Sequence, residues 1–233
     1  MTRLSVIVPA WQAAATLAET LASVAAELTP ADEVIVVDDG STDATAEVAR
    51  AALPSAKLLV QPNRVAAAAL NLGIAAARGA WIASSDADDL WVPGRIAAQL
   101  AALAEAPRLA GIGGLMESFA CPSLPADAPA RRQLGLPPVP CLTTGALLLR
   151  RDALEAIGSY EETLRIGYNL DWMHRARAAG LAFETLPRVV LRRRIRLGSL
   201  SSRAGGSDAG YIEVARRAIA RRRGRPPADK VPP

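Results

Sequence analysis

The chain is poor in aromatic side chains, in histidine and in cysteine. Four Trp, three Tyr and two Phe make up 4% of its 233 residues, and there is one His. A core with so few rings is packed by aliphatic residues, and alanine is over-used; alanine packs closely and favours helices but carries no chemistry. The single histidine, His174, falls mid-helix and gives no basis for a histidine metal centre or base. Cys121 and Cys141 flank a Pro-rich loop. They could pair across it, but without a signal peptide the reduced, cytosolic state is the expected one. No apolar run approaches the roughly 20 residues of a membrane span. The start, MTRLSVIVPA, has too short an apolar core for a signal sequence and breaks at Pro9. A soluble, cytoplasmic protein is expected.

Charge is unevenly spread. The net charge is +4, and the basic excess lies late, in LRRRIR (191–196) and ARRAIARRRGR (215–225). Solvated helix faces are the plain reading of such runs; a patch for anionic lipid or nucleic acid is the sharper one. Against this balance, SSDADDLW (84–91) sets three carboxylates within four residues. Like charges that close repel unless the turn is solvated or a cation sits between them.

Apolar runs LSVIV (4–8), EVIVV (33–37), KLLV (57–60) and AWIA (80–83) read as buried strands. Between them, Leu17, Leu21, Val24 and Leu28 form a helical stripe. DDGSTDATAEVARAA opens a second helix after Gly40, VAAAALNLGIAAARG is a third, and Ile96, Leu100 and Leu103 mark a fourth. Strand and helix alternate with short connections, the pattern of a parallel α/β sheet with helices on both faces. Ligands of such sheets sit beyond the carboxyl ends of the strands. Pro9-Ala10-Trp11, Asp38-Asp39 and Asp86–Asp89 all fall there. After about residue 105 the regularity drops. The segment 121–141 is Pro/Ala-rich and aperiodic, a loop or insertion of the kind that serves as a lid or binding loop. Helix is expected over 170–180, strand over 188–196, and one helix near YIEVARRAIARRR in an otherwise Gly/Arg/Pro-rich tail. There are no repeats.

The stretches LSVIVPAWQAAATLAETLASV, EVIVVDDGSTDATAEVA, ALNLGIAAARGAWIASSDADDLWVPGRI and TTGALLLRRDALEAIGSYEETL resemble the family 2 glycosyltransferases. The resemblance implies a GT-A fold of the nucleotide-diphospho-sugar transferase superfamily, mostly parallel, with a less regular acceptor half. Residues 1–203 then form one domain: a nucleotide-sugar half (1–105), an acceptor half (106–203) holding the loop 118–140, and a basic, partly disordered tail (204–233). The implied activity is inverting, metal-assisted transfer of a sugar from a nucleotide-diphosphate-sugar, a UDP-sugar by preference. The acceptor is open: glycan, lipid-linked, peptide or small molecule. No nucleic-acid partner is expected, and the basic C-terminal region is a candidate for peripheral membrane contact. A nucleotidyltransferase on a similar sheet carries a Gly-rich phosphate loop after its first strand, and PAWQAAAT has none.

The resemblance assigns Asp86 and Asp88 to the Asp-x-Asp motif that holds Mg2+ or Mn2+, with Asp88 the direct ligand and Asp86 on metal water or ribose. Such hard cations prefer carboxylate and phosphate oxygens. Asp39 matches the carboxylate that reads the nucleobase, Pro9, Ala10 and Trp11 line the same pocket, and Arg64 and Asn71 lie in a nucleotide-contacting segment. Two departures stand out. The acidic pair that supplies the base falls on Tyr168 and Asn169, and an Asn accepts no proton at neutral pH. Asp171, two residues on, is the substitute base if the helix start is irregular; otherwise it caps the helix or pairs with Arg175 at i+4. Arg196 stands where relatives often have His; it can grip the diphosphate and lessen reliance on metal. A catalytically impaired nucleotide-sugar-binding relative is the alternative reading.

Overall fold

The computed structural model describes residues 3–197 and 207–222, so the expected boundary near 203 and the end of the tail lie outside it. The first half follows the alternation read from the apolar runs: β1 (Leu4–Ala10), α1 (Leu17–Ala25), β2 (Glu33–Asp38), α2 (Thr45–Ala52), β3 (Lys57–Val60), α3 (Ala66–Ala76) and β4 (Trp81–Ser84). These strands pair in parallel in the order β3-β2-β1-β4. Successive side chains of β1 point to opposite faces. Val6 and Val8 meet Leu17, Leu21 and Val24 of α1 on one side, whereas Ile7 meets Leu70 of α3 on the other. Helices therefore cover both faces of β1, which is buried along nearly its whole length, whereas the edge strand β3 stays partly exposed, with Lys57 and Val60 reaching water.

The second half curls the sheet onward: β5 (Leu90–Trp91), α4 (Arg95–Glu105), β6 (Leu109–Ala120), β7 (Val139–Cys141), β8 (Leu148–Arg150), α5 (Arg151–Ile157), α6 (Tyr168–Ala178), β9 (Ala182–Ile195) and α7 (Ser207–Arg222). The described strands make one sheet ordered β3-β2-β1-β4-β8-β6-β9-β5, with β7 on β6. β6 is the longest element that periodicity missed. Its LAGIGGLMESFA is broken by glycine, and its pairing with β9 carries three register shifts. Those glycines are steric: a Cβ on Gly113 would come within 2.2 Å of the Cys141 carbonyl oxygen. The aperiodic 121–141 segment holds only a short 3-10 turn at 129–133 before β7, and both cysteines are free thiols.

Four of the nine aromatics gather on the α3 side. Tyr160 makes an edge contact with Tyr168 at 5.9 Å and tilts against Trp172 at 5.8 Å, and Trp172 meets Phe183 at 6.1 Å. This anchors α6 and the loop before it next to the strand ends. Among the described residues no helix is long and apolar enough to cross a membrane.

Candidate functional site

The loops leaving β1, β2, β3 and β4 converge at one edge of the sheet. Asp39 follows β2; its N–H donates to the Ala10 carbonyl at 2.8 Å, continuing the ladder past the strand end. Its side chain is buried, with Oδ1 accepting Gln61 Nε2 at 2.6 Å and the Arg64 N–H at 3.0 Å. Asn63 Nδ2 donates to the Asp39 carbonyl at 3.0 Å. Gly40 makes this closure possible: its φ is +71°, and a Cβ there would lie 2.6 Å from Asn63 N. Gln12, itself at φ 50°, ties the first two loops by accepting the Thr42 N–H at 2.8 Å and donating to Thr42 Oγ1 at 3.0 Å. Between them Trp11 leaves 47% of its surface exposed, while Pro9 and Ala10 belong to the strand end itself.

Arg64 and Asn71 both reach the loop 160–162. Asn71 Nδ2 donates to the Tyr160 carbonyl at 2.9 Å and to Glu162 at 3.0 Å, and its Oδ1 accepts the Tyr160 N–H at 2.9 Å. Arg64 Nη2 pairs with Glu162 at 2.7 Å. Both side chains thus brace the 160–162 loop beside the pocket.

The acidic turn lies across β1 from Asp39. Ser85 N–H donates to Ile7 O at 3.0 Å, and the turn is held from below by Thr16 and Thr20, whose hydroxyls donate to the Ala87 and Asp89 carbonyls, each at 2.9 Å. Asp86 is exposed in a recess of the protein; the surrounding protein and then the Asp88 carboxylate push its carboxyl up to about 6, with Arg193 acting the other way. Asp89 is buried and pushed well above the usual range by burial and by both neighbours, although its Oδ1 accepts the Arg194 N–H at 2.8 Å. β9 supplies the counter-charges. Arg194 Nε donates to the Asp88 carbonyl at 2.8 Å and its Nη2 meets Glu19 at 2.5 Å; Arg196 Nε donates to Asp88 Oδ2 at 2.7 Å. Sequence reasoning missed Arg194, which lies among the basic residues of 191–196 with nothing to single it out.

The far wall is the loop 143–147. Arg95, wholly buried at the start of α4, donates to the Gly145 carbonyl at 2.7 Å and lies 4.0 Å over the Trp91 ring; Gln99 donates to the Ala146 carbonyl at 2.9 Å. They hold Gly145 so close to the acidic turn that a Cβ on it would sit 3.8 Å from Asp86 Oδ2.

The sequence model of Glycosyl transferase family 2 matches residues 5–158. The chain is 33% identical to the Succinoglycan biosynthesis protein ExoU of Rhizobium meliloti (strain 1021), over 94% of this chain and 69% of that protein. This chain belongs to glycosyltransferase family 2. It is also 30% identical to the Putative glycosyltransferase EpsE of Bacillus subtilis (strain 168), over 70% of this chain and 62% of that one. Its fold is of GT-A type. It matches S. aureus TarS 1-349 in complex with UDP-GlcNAc with a TM-score of 0.72 at 21% identity, over 94% of this chain. It matches the mannosyltransferase PcManGT from Pyrobaculum calidifontis, in complex with GDP-Man and Mn2+, with a TM-score of 0.71 at 20% identity, over 99% of this chain. The chain spans 66% of each of those two solved chains.

The positions where an acidic pair was expected open α6. Gly167, at φ +85°, starts the helix, and Tyr168 turns inward, where it hydrogen-bonds Thr144 and feels the Asp86 carboxylate; burial and that charge push its hydroxyl upward. Asn169 accepts the Leu170 N–H through its own Oδ1 at 2.9 Å. Asp171 does not fit the base role expected of it. It is 1% exposed, with Oδ2 on Arg175 Nε at 3.1 Å and Oδ1 on Arg221 Nη2 at 2.7 Å, so both carboxylate oxygens are engaged and α7 covers it in this structure. His174 faces solvent on the same helix.

Among the described residues no three His, Cys, Asp or Glu side chains gather as a metal cluster. A hard divalent ion on a transferred phosphate needs only one or two protein carboxylates, with phosphate and water completing its shell. Asp86 and Asp88, crowded enough to raise one carboxyl, fit that limited role, with Arg196 sharing Asp88.

Proposed function

We propose that this chain transfers a sugar from a nucleoside-diphosphate-sugar, a UDP-sugar by preference, to a hydroxyl acceptor with inversion at the anomeric carbon. The observation that carries this reading is the pairing of Asp39 and the Asp86–Asp89 turn at the carboxyl ends of β2 and β4, either side of β1. Asp39, fixed by Gln61 and Arg64 N–H, is suited to accept an N–H of the base, and a base lacking it leaves a buried acceptor unpaired. Trp11 offers an exposed ring beside it. Structural neighbours named for complexes with UDP-GlcNAc and with GDP-Man and Mn2+ support a nucleotide-sugar ligand.

The leaving diphosphate departs with negative charge. Asp86 and Asp88 would hold Mg2+ or Mn2+, which neutralises that charge when bound. Arg196, a fork donor at the mouth of the same turn, adds a second positive group able to bind phosphate. Arg64 and Asn71 act one layer back, by fixing the 160–162 loop.

A second reading, a nucleotide-sugar-binding relative without turnover, is favoured by one observation. The attacking hydroxyl must lose a proton to a group within hydrogen-bond reach. Asn169 is not basic, and Asp171 is covered by Arg175 and Arg221. UDP release and binding, measured over a panel of nucleotide sugars with and without Mn2+, separate the two. Release above buffer supports the transferase, tight binding without release supports the relative, and no binding contradicts both.

A further inference from the structure

Helix α7 has one face committed to the domain. Val214 is buried, and a Cβ on Gly167 would lie 2.9 Å from it. Arg217 pairs with Glu161 at 3.1 Å and Glu213 at 2.9 Å, and Arg221 with Asp171 at 2.7 Å. These contacts fix the helix without using its other side. There Tyr211 (50%), Ile212 (49%) and Ile219 (51%) stand half exposed, with Ala215 and Arg216 exposed between them. Positions 211, 212, 215, 216 and 219 fall on one stripe at the helical period. Three large apolar side chains on a stripe that the fold leaves outside call for a partner.

Charge selects the partner. Glu213 is occupied by Arg217, so the stripe carries Arg216 and no acid among the side chains described. Beyond Arg221 the sequence runs on as RRGR from 222 to 225. A second copy of the chain would set these basic groups against their twins. A nucleic acid would match the charge but not the isoleucines. An amphipathic helix that combines apolar side chains with arginine suits the interface of an anionic bilayer.

We propose that the Tyr211–Ile212–Ile219 stripe of α7 docks this chain on anionic membrane, the apolar side chains entering the interface and Arg216 meeting lipid phosphate. The inference stands apart from the transfer reaction. It is tested on the full chain by co-sedimentation with vesicles of phosphatidylcholine alone and of phosphatidylcholine with phosphatidylglycerol. Wild type should bind the mixed vesicles, weakly or not at all the neutral ones, and less at high salt. The double variant Ile212→Glu/Ile219→Glu should lose roughly tenfold or more in partitioning, and Arg216→Glu about tenfold. Thermal melting checks both folds; since all three positions face outward, either variant that melts like wild type carries the test. Absent binding by wild type, equal binding by a folded variant, or a wild-type dimer that the double variant dissolves would each overturn the proposal.

Discussion

Arg196 Nε lies 2.7 Å from Asp88 Oδ2, joining the end of β9 to the acidic turn across 108 residues of sequence. The turn thus carries a counter-charge on the Asp88 carboxylate itself. A guanidinium can pass from a carboxylate to a phosphate with little change in geometry, because both accept its fork. Arg196→Ala should weaken metal-free UDP binding about tenfold or more, the worth of a hydrogen bond to a charged group. Arg196→Lys should recover part of it. Calorimetric titration without metal reads this directly, and an unchanged affinity would remove Arg196 from the diphosphate site.

The Asp86 carboxyl, solvent-exposed yet walled by its recess, is raised to about 6 from an ordinary 3.8, first by the loss of solvation in that recess and then by Asp88. A carboxyl that is easier to protonate in the folded chain than in the unfolded one favours the fold at low pH and costs stability as pH rises from about 4 to 6. Asp86→Asn should therefore melt above wild type at pH 7.5, and the difference should shrink towards pH 4. Mn2+-dependent UDP binding should move the other way, weakening about tenfold per pH unit below 6, since a metal ligand must be ionised. Melting curves and titrations at several pH values test both signs.

Asp171 is predicted to be structural. Its replacement by Asn leaves Arg175 and Arg221 without their shared carboxylate and should cost about 3 kcal/mol, as when one partner of a buried pair is removed. Turnover per folded molecule should stay within about twofold. Lost turnover at wild-type stability would restore Asp171 as the base.

The parallel half was legible because β1, β2 and β4 are short, largely apolar runs buried on both faces, and the edge strand β3, though partly exposed, keeps the apolar stretch Leu58–Val60. β5 was too short to read, and β6 was hidden by the glycines that let β7 and β8 approach it. The gathering of Asp39, Asp86 and Asp88 at the strand ends was legible because their loops follow those runs directly. The surroundings of Asp171 were not. Asp171's pairing with Arg175 is local and could be weighed from spacing, but its second partner, Arg221, lies 50 residues on and reaches it only because α7 folds back. Arg64 and Asn71 likewise meet Glu162 and Tyr160 across about 90 residues or more, so spacing alone could not show that their polar groups are spent on the loop.

Gly40 offers a test of the base pocket that leaves every polar group in place. Gly40→Ala forces a side chain into a left-handed position and to within 2.6 Å of Asn63 N, in the loop whose Gln61 and Arg64 hold Asp39. The strain, about 1–2 kcal/mol from the backbone alone, should lower the melting temperature, and UDP affinity should fall about tenfold with it. Wild-type affinity in a folded variant would show that this turn does not shape the pocket.

The most direct test of the account is UDP release from UDP-sugars in the presence of Mn2+, compared between wild type and Asp88→Ala. The crevice described here predicts release by wild type and a drop of about a hundredfold in the variant, the usual scale for removing a group that stabilises the developing charge. Equal release by both proteins, or a wild type that neither binds nor turns over any nucleotide sugar, would contradict it.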